Sequence, residues 1–178
     1  AAEPKFLLLD EPFSALDAYL KEKLMQEMMT YLNQFKKGVI MVSHSRDEVY
    51  QMCSDTVIMH RGTLETIGKT RDIFDEPGTV NAARLTGCKN ISQAMKTGDH
   101  EVYASDWEVK LTFPEQTEIP SNLTHVGIRA HEIRPVVSKG ADLQGTDSNK
   151  SLRLNTMDCQ LERISEAPFE MYLILQNK

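Results

Sequence analysis

Phe6-Leu7-Leu8-Leu9-Asp10-Glu11-Pro12 is a run of four apolar residues that stops on two adjacent carboxylates. Apolar side chains in series, without polar alternation, predict a strand covered on both faces, as in a parallel sheet. The carboxylates then leave at the sheet's C-terminal edge, where open α/β sheets place their ligands. Neighbours on a strand point in opposite directions, so Asp10 and Glu11 cannot share one task. One suits a hydrated Mg²⁺, which takes few protein carboxylates. The other suits the orientation of an attacking water, because phosphoryl transfer asks a protein chiefly for positioning and charge stabilisation. Taken alone, Asp10-Glu11-Pro12 reads equally as a strand ending in a solvated turn.

A second apolar run, Val39-Ile40-Met41-Val42, ends in Ser43-His44 and repeats the design. Between the runs the spacing predicts a helix. Asp17 is a good N-cap, and Leu20, Leu24, Met28, Tyr31 and Phe35 recur every three or four residues along one face. Lys36 and Lys37 suit the negative end of that helix, and Gly38 its termination. Strand, helix and strand of these lengths make a βαβ unit with parallel strands and a right-handed crossover. Topology alone therefore brings Asp10, Glu11 and His44 to one edge. A histidine there can donate a hydrogen bond to a phosphate oxygen and respond to whether the terminal phosphate is present.

In these residues the chain resembles the ATP-binding subunits of ABC transporters. Phe6 to Glu11 is similar to their Walker B strand, Ser14-Ala15-Leu16-Asp17 to the D-loop, and His44 within Val42-Ser43-His44-Ser45-Arg46-Asp47-Glu48 to the switch histidine. The resemblance implies ATP and Mg²⁺ as cofactors, with Asp10 holding Mg²⁺ through water. It implies Glu11 as the residue activating the hydrolytic water and His44 as a contact to the γ-phosphate. Ser14 and Asp17 would lie where two ATPase subunits meet, so a homodimer is implied for activity.

The phosphate-binding loop and the signature loop of that family, both Gly-rich, should precede Walker B, and neither occurs in the 178 residues. Gly68-Lys69-Thr70, with Gly62 upstream, imitates the end of a P-loop. Five residues separate its glycines where a P-loop has four, and a P-loop runs from strand to helix. Thr56 to His60, Arg61-Gly62 and Thr63 to Ile67 instead read as a β-hairpin with a tight turn. The chain is thus expected to be the C-terminal part of a longer ATPase, and inactive in ATP hydrolysis by itself.

Composition describes an ordinary globular chain, with 40% hydrophobic and 26% charged residues. No apolar run approaches membrane-spanning length, so any membrane association must come through a partner. A net charge of −6 disfavours nucleic-acid binding, which needs a basic surface. Three cysteines, Cys53, Cys88 and Cys159, lie far apart and point to reduced thiols rather than a disulfide framework or a metal site.

Ser45 is a candidate N-cap for a short helix to Cys53, with Glu48 at the capping-box position. Thr70 is expected to cap another brief helix, Asp75-Glu76-Pro77-Gly78 to break the chain, and Thr79 to Leu85 to form a connecting helix. From about Asn90 short alternating segments take over. Strands are expected over Ile91 to Lys96, Glu101 to Ala104, Trp107 to Phe113, Thr124 to Ala130, Ile133 to Val137, Ser151 to Leu154, Asp158 to Ile164 and Phe169 to Leu175, with a loop over Ser138 to Lys150. Many short strands with close turns predict a small barrel. The fold class is therefore α/β followed by all-β: the C-terminal part of a P-loop ATPase core over 1–76, a linker helix over 77–90 and a small β domain over 91–178.

Val126-Gly127-Ile128-Arg129-Ala130-His131-Glu132-Ile133-Arg134 resembles the Gly-Ile-Arg motif of TOBE domains, the OB-like modules of importer ATPases. Leu85-Thr86-Gly87-Cys88-Lys89-Asn90-Ile91-Ser92 is similar to the molybdate-importer branch. The resemblance implies an ATP-hydrolysing importer subunit, for molybdate or a related oxyanion, cytoplasmic and peripheral on the inner membrane face through permease subunits. Three alternatives stay open: an isolated regulatory, oxyanion-binding or dimerisation module, an ATPase subunit of a sugar or polyamine importer, and a soluble ABC protein of translation or DNA repair, against which the acidic β extension argues. Arg129, His131, Arg134, Ser92, Lys89 and Lys139 are available donors for an oxyanion ligand. From Met95 onward, however, nine Lys or Arg face thirteen Asp or Glu, so an anion site would need locally gathered cations or amides. Trp107 reads as packing rather than a base-stacking platform.

Overall fold

In the computed structural model, which describes residues 4–35, 37–134, 155–168 and 170–177, strands β1 (Phe6–Asp10) and β2 (Gly38–Val42) pair in parallel. Phe6 lies opposite Gly38 and Asp10 opposite Val42, so both strands end at one edge. Helix α1 (Ala18–Gln34) makes the crossover. Its first turn is capped as expected: the Asp17 carboxylate accepts hydrogen bonds from the amides of Tyr19 and Leu20 at 3.1 and 3.0 Å. Gly38 does not end this helix. The helix closes at Phe35, whose N–H reaches the carbonyls of Tyr31 and Leu32, and Gly38 opens β2. A Cβ at Gly38 would overlap the Phe6 ring on the paired strand, so the missing side chain serves close approach.

Two expectations for this unit are corrected. The apolar runs are not covered on both faces: Leu7, Leu9, Val39 and Met41 are half-buried, whereas Phe6, Leu8, Ile40 and Val42 are exposed, Leu8 at 72%. Among the described residues this sheet has two strands, and one of its faces is left open. The inward stripe of α1 is also rotated. Met25 is the buried residue, at 5%, with Lys21, Leu24, Met28 and Leu32 half-buried beside it, while Tyr31 is 61% exposed. Methionine adapts to irregular space, so a Met-rich helix does not fix its own inward face.

Helix α2 (Arg46–Met52) follows β2, and strands β3 (Asp55–His60) and β4 (Thr63–Lys69) form an antiparallel hairpin. Its turn places Arg61 and Gly62 at φ 48° and 78°, the left-handed pair that a tight hairpin turn requires. Gly68 and Lys69 therefore lie within a strand, away from any phosphate loop. Thr70 is the first residue of α3 (Thr70–Asp75), not its cap; its hydroxyl is buried against that of Thr56, 2.8 Å away. Thr79 caps α4 (Val80–Leu85) by accepting from the Ala82 amide. Ile58, Ile73 and Ala82 make the local core, and Phe13 is sealed at 2% exposure.

The chain divides into two compact units, Ala1–Gly87 and Cys88–Lys178. In the second, β5 (Asn90–Gly98) pairs antiparallel with β6 (Glu101–Ala104) and with β8 (His125–Ile128), and β6 pairs with β7 (Val109–Thr112). The sheet order is β7-β6-β5-β8, over a core of Ala94, Val102 and Ile119 with Phe113, Leu123 and Val126. Strand β7 starts two residues later than expected, because Ser105–Glu108 turn, with Glu108 at φ 52°. Trp107 lies half-buried in that turn. Strand β8 stops at Ile128, since Ala130–Glu132 forms a 3-10 turn whose Glu132 carboxylate accepts from the Arg129 amide; Ile133 and Arg134 are not strand. Strands β9 (Cys159–Ala167) and β10 (Glu170–Asn177) form a separate hairpin, and among the described residues no closed barrel forms. The strand expected over Ser151 to Leu154, most of that over Ile133 to Val137 and the loop over Ser138 to Lys150 lie outside the described residues.

The Asp17 cap gives a direct check. Asp17→Ala should lower the unfolding free energy of the α/β unit by about 1 kcal/mol, read as an earlier urea midpoint with unchanged slope.

Candidate functional site

Asp10 and Glu11 sit where β1 leaves the sheet, and β2 delivers Ser43 and His44 to the same edge because Asp10 pairs with Val42. The ladder runs one residue further: the Glu11 amide donates to the Val42 carbonyl at 2.9 Å. Glu11 then turns sharply, at φ 47°, a left-handed conformation that costs a non-glycine residue about 1–2 kcal/mol. Its surroundings hold it there. The Glu11 carbonyl accepts from the Ser14 amide at 3.2 Å and from the Ser14 hydroxyl at 3.0 Å. Strain of this kind is tolerated where neighbouring structure over-determines it, commonly at functional sites. The turn aims the Glu11 carboxylate at His44, whose Nε2 lies 3.1 Å from Oε1. That oxygen is buried and lacks an aligned hydrogen bond.

The sequence-predicted residues thus separate. Asp10, Glu11 and His44 gather at one edge, Asp10 exposed and the His44 side chain 93% exposed. Ser14 closes the Glu11 turn, and Asp17 spends one carboxylate oxygen on the helix cap. Asp10 is an accessible carboxylate at a sheet edge. No group of three or more His, Cys, Asp or Glu side chains able to cage a metal occurs among the described residues. This donor set fits Mg²⁺ held mainly by water and phosphate rather than by an all-protein cage.

Sequence reasoning missed the network behind His44. Glu48 is buried at 3%, yet it is charged. Its Oε1 meets Lys21 Nζ at 2.5 Å, and its Oε2 accepts from the Ser43 hydroxyl at 2.5 Å. Lys21 also donates to Ser45 Oγ at 3.3 Å, and the Ser45 amide donates to Ser43 Oγ at 2.9 Å. Ser45 precedes α2 as expected, but its side chain does not cap, and Glu48 does not reach back to the Ser45 amide directly. Burial pushes the Glu48 carboxyl up, but the hydrogen bonds from Lys21, Ser43 and Ser45 outweigh it and hold the group below its ordinary value. A Lys at the start of one helix and a Glu in the first turn of the next was the available signal. It reads equally well as two solvated charges.

In the second unit the proposed anion donors have different surroundings. Ser92 is fully buried and bonded to the Gln93 carbonyl and the Asp106 amide. Lys89 lies 5.7 Å over the Tyr172 ring, and His131 and Arg134 are exposed. Lys139 lies outside the described residues. Cys53, Cys88 and Cys159 are free thiols.

No family model matches the chain. It is 33% identical over 88% of its length to a sulfate/thiosulfate import ATP-binding protein of Mesostigma viride. It is 33% identical over 74% to a spermidine/putrescine import ATP-binding protein of Nitratidesulfovibrio vulgaris, and 38% identical over 54% to a molybdate/tungstate import ATP-binding protein of Pyrococcus horikoshii. Its homologues are ATP-binding subunits of ABC importers. The chain spans 41%, 37% and 28% of the length of these three relatives. A solved inward-facing ABC transporter of metal-chelate type overlaps 72% of the chain and 42% of its own, at a TM-score of 0.39 and 19% identity, too weak a likeness to bear weight. Among the described residues no helix is long and apolar enough to cross a membrane.

The Glu48 network makes stability pH-dependent. A carboxyl held low in the folded state contributes stability that is complete above its unfolded pKa of about 4.3 and is lost as pH falls through the lower folded value. Urea unfolding should therefore show Glu48→Gln well below the unsubstituted chain at pH 7, with the gap narrowing below about pH 4.

Proposed function

We propose that this chain is the C-terminal part of the ATP-binding and ATP-hydrolysing subunit of an ABC importer that moves molybdate or a related oxyanion. The carrying observation is the edge of β1 and β2, where an exposed Asp10, a strained Glu11 and an exposed His44 meet. MgATP, when bound, would supply the scissile phosphate and the charge-neutralising metal. Asp10 would hold the Mg²⁺ water shell. Glu11, with a carboxylate oxygen lacking an aligned hydrogen bond, would orient the attacking water and accept its proton. His44 would donate to the γ-phosphate from Nε2, the atom now beside Glu11. Ser14 and Asp17 would lie where a second ATPase subunit docks, and permease subunits would hold the dimer at the cytoplasmic membrane face.

The division into an ATPase part and a TOBE-like β module rests on the motif order and on relatives more than twice as long as the chain. The relatives include oxyanion and polyamine import proteins alike, and the oxyanion reading rests on the resemblance of Leu85 to Ser92 to the molybdate-importer branch. In the full-length subunit assembled with its permease, Glu11→Gln should leave ATP binding intact and lower turnover by about 10²-fold or more. Turnover near the unsubstituted rate would reject the assignment. The 178-residue chain by itself should release no phosphate from MgATP above buffer background, because the residues that cradle phosphate are not among its motifs.

A further inference from the structure

His44 has almost nothing of its own to hold it. Its side chain is 93% exposed, and among the described residues its Nε2 lies beside the Glu11 carboxylate. A histidine that must reach a particular phosphate oxygen needs its backbone fixed from behind, since about 1 Å of misplacement can cost 10²-fold in rate. The residues on either side of it are fixed. Ser43 is bonded through Oγ to the buried Glu48 carboxylate, and the same oxygen accepts the Ser45 amide. Ser45 Oγ accepts from Lys21, which also pairs with Glu48.

We propose that Lys21, Ser43 and Glu48 form a positioning clamp for His44, an inference that rests on the phosphate-contacting role assigned to that histidine. The arrangement is a capping box relayed through one hydroxyl. Glu48 stands in the first turn of α2, where a capping-box carboxylate would bond the N-cap amide; Ser43 Oγ takes that amide and passes the bond to Glu48. Helix-entry geometry is thereby tied to a residue one position before the histidine. Lys21 adds the second anchor. It stands on α1, one turn after the Asp17 cap and the turn that strains Glu11, so both sides of the Glu11–His44 pair share one frame. A buried carboxylate is a costly way to hold a short loop unless it is paired and hydrogen-bonded, and here both oxygens are.

Ser43→Ala is the decisive variant, because it cuts the relay and leaves the Lys21–Glu48 ion pair in place. In the full-length subunit, assayed well below the melting temperature that the lost Glu48 hydrogen bond lowers, it should cut kcat for ATP about 10-fold or more, within the range for misplaced catalytic groups, with KM little changed. Ser43→Thr, which keeps the hydroxyl, should restore kcat. In the 178-residue chain, ¹³C relaxation of the His44 ring should report wider motion for Ser43→Ala than for Ser43→Thr. Unchanged kcat and ring motion in Ser43→Ala, with His44→Ala still inactive, would overturn the clamp and leave the role of His44 standing. A fall in kcat that tracks a fall in melting temperature and is not restored by threonine would assign Ser43 to stability alone. Turnover retained by His44→Ala would remove both readings.

Discussion

The parallel pairing of β1 with β2 is the constraint on which the rest of the α/β unit depends. With Asp10 opposite Val42, the next residues of both strands leave the sheet side by side. A register one residue different would turn every side chain of one strand to the other face. Gly38 opens this pairing, because only a residue without a Cβ admits the Phe6 ring against it. The amide of Glu11 extends the ladder to Val42 before the chain turns. The left-handed backbone of Glu11 is then the local cost of presenting a carboxylate to His44 rather than to solvent.

Most of that arrangement was legible from residue order. Two apolar runs, an Asp cap and a helical period between them dictate strand, helix and strand, and a crossover of that length makes the strands parallel. The Asp17 cap, the Arg61-Gly62 turn and the rejection of Gly68-Lys69-Thr70 as a phosphate loop depend on local chemistry, and local chemistry is what a sequence displays. The inward face of α1 was not legible, because Met25 and Met28 pack wherever space allows and Tyr31 lies out in solvent. Nor was the strain at Glu11, since the proline that follows disfavours right-handed helix without selecting the left-handed region. The Lys21–Glu48 contact joins two helices, and no period in either one reveals it.

The second unit carries a different lesson. Alternation located β5, β6, β9 and β10 closely, but it does not say which strands pair. The order β7-β6-β5-β8 leaves β9 and β10 as their own hairpin among the described residues. Ser92, a donor on the sequence, is spent in the core on the Asp106 amide and the Gln93 carbonyl. The motif around Arg129 is a strand end tightened by Glu132 into a 3-10 turn, a structural use of residues that also resemble a module signature.

The central claim is that the edge formed by Asp10, Glu11 and His44 faces a metal–nucleotide complex. Paramagnetic relaxation tests it most directly: Mn²⁺ replaces Mg²⁺ with a non-hydrolysable ATP analogue on the full-length subunit, and residue-specific NMR follows the broadening. Strong, nucleotide-dependent broadening is expected at Asp10, Glu11 and His44. Saturated binding of the analogue with those three resonances unbroadened would contradict it.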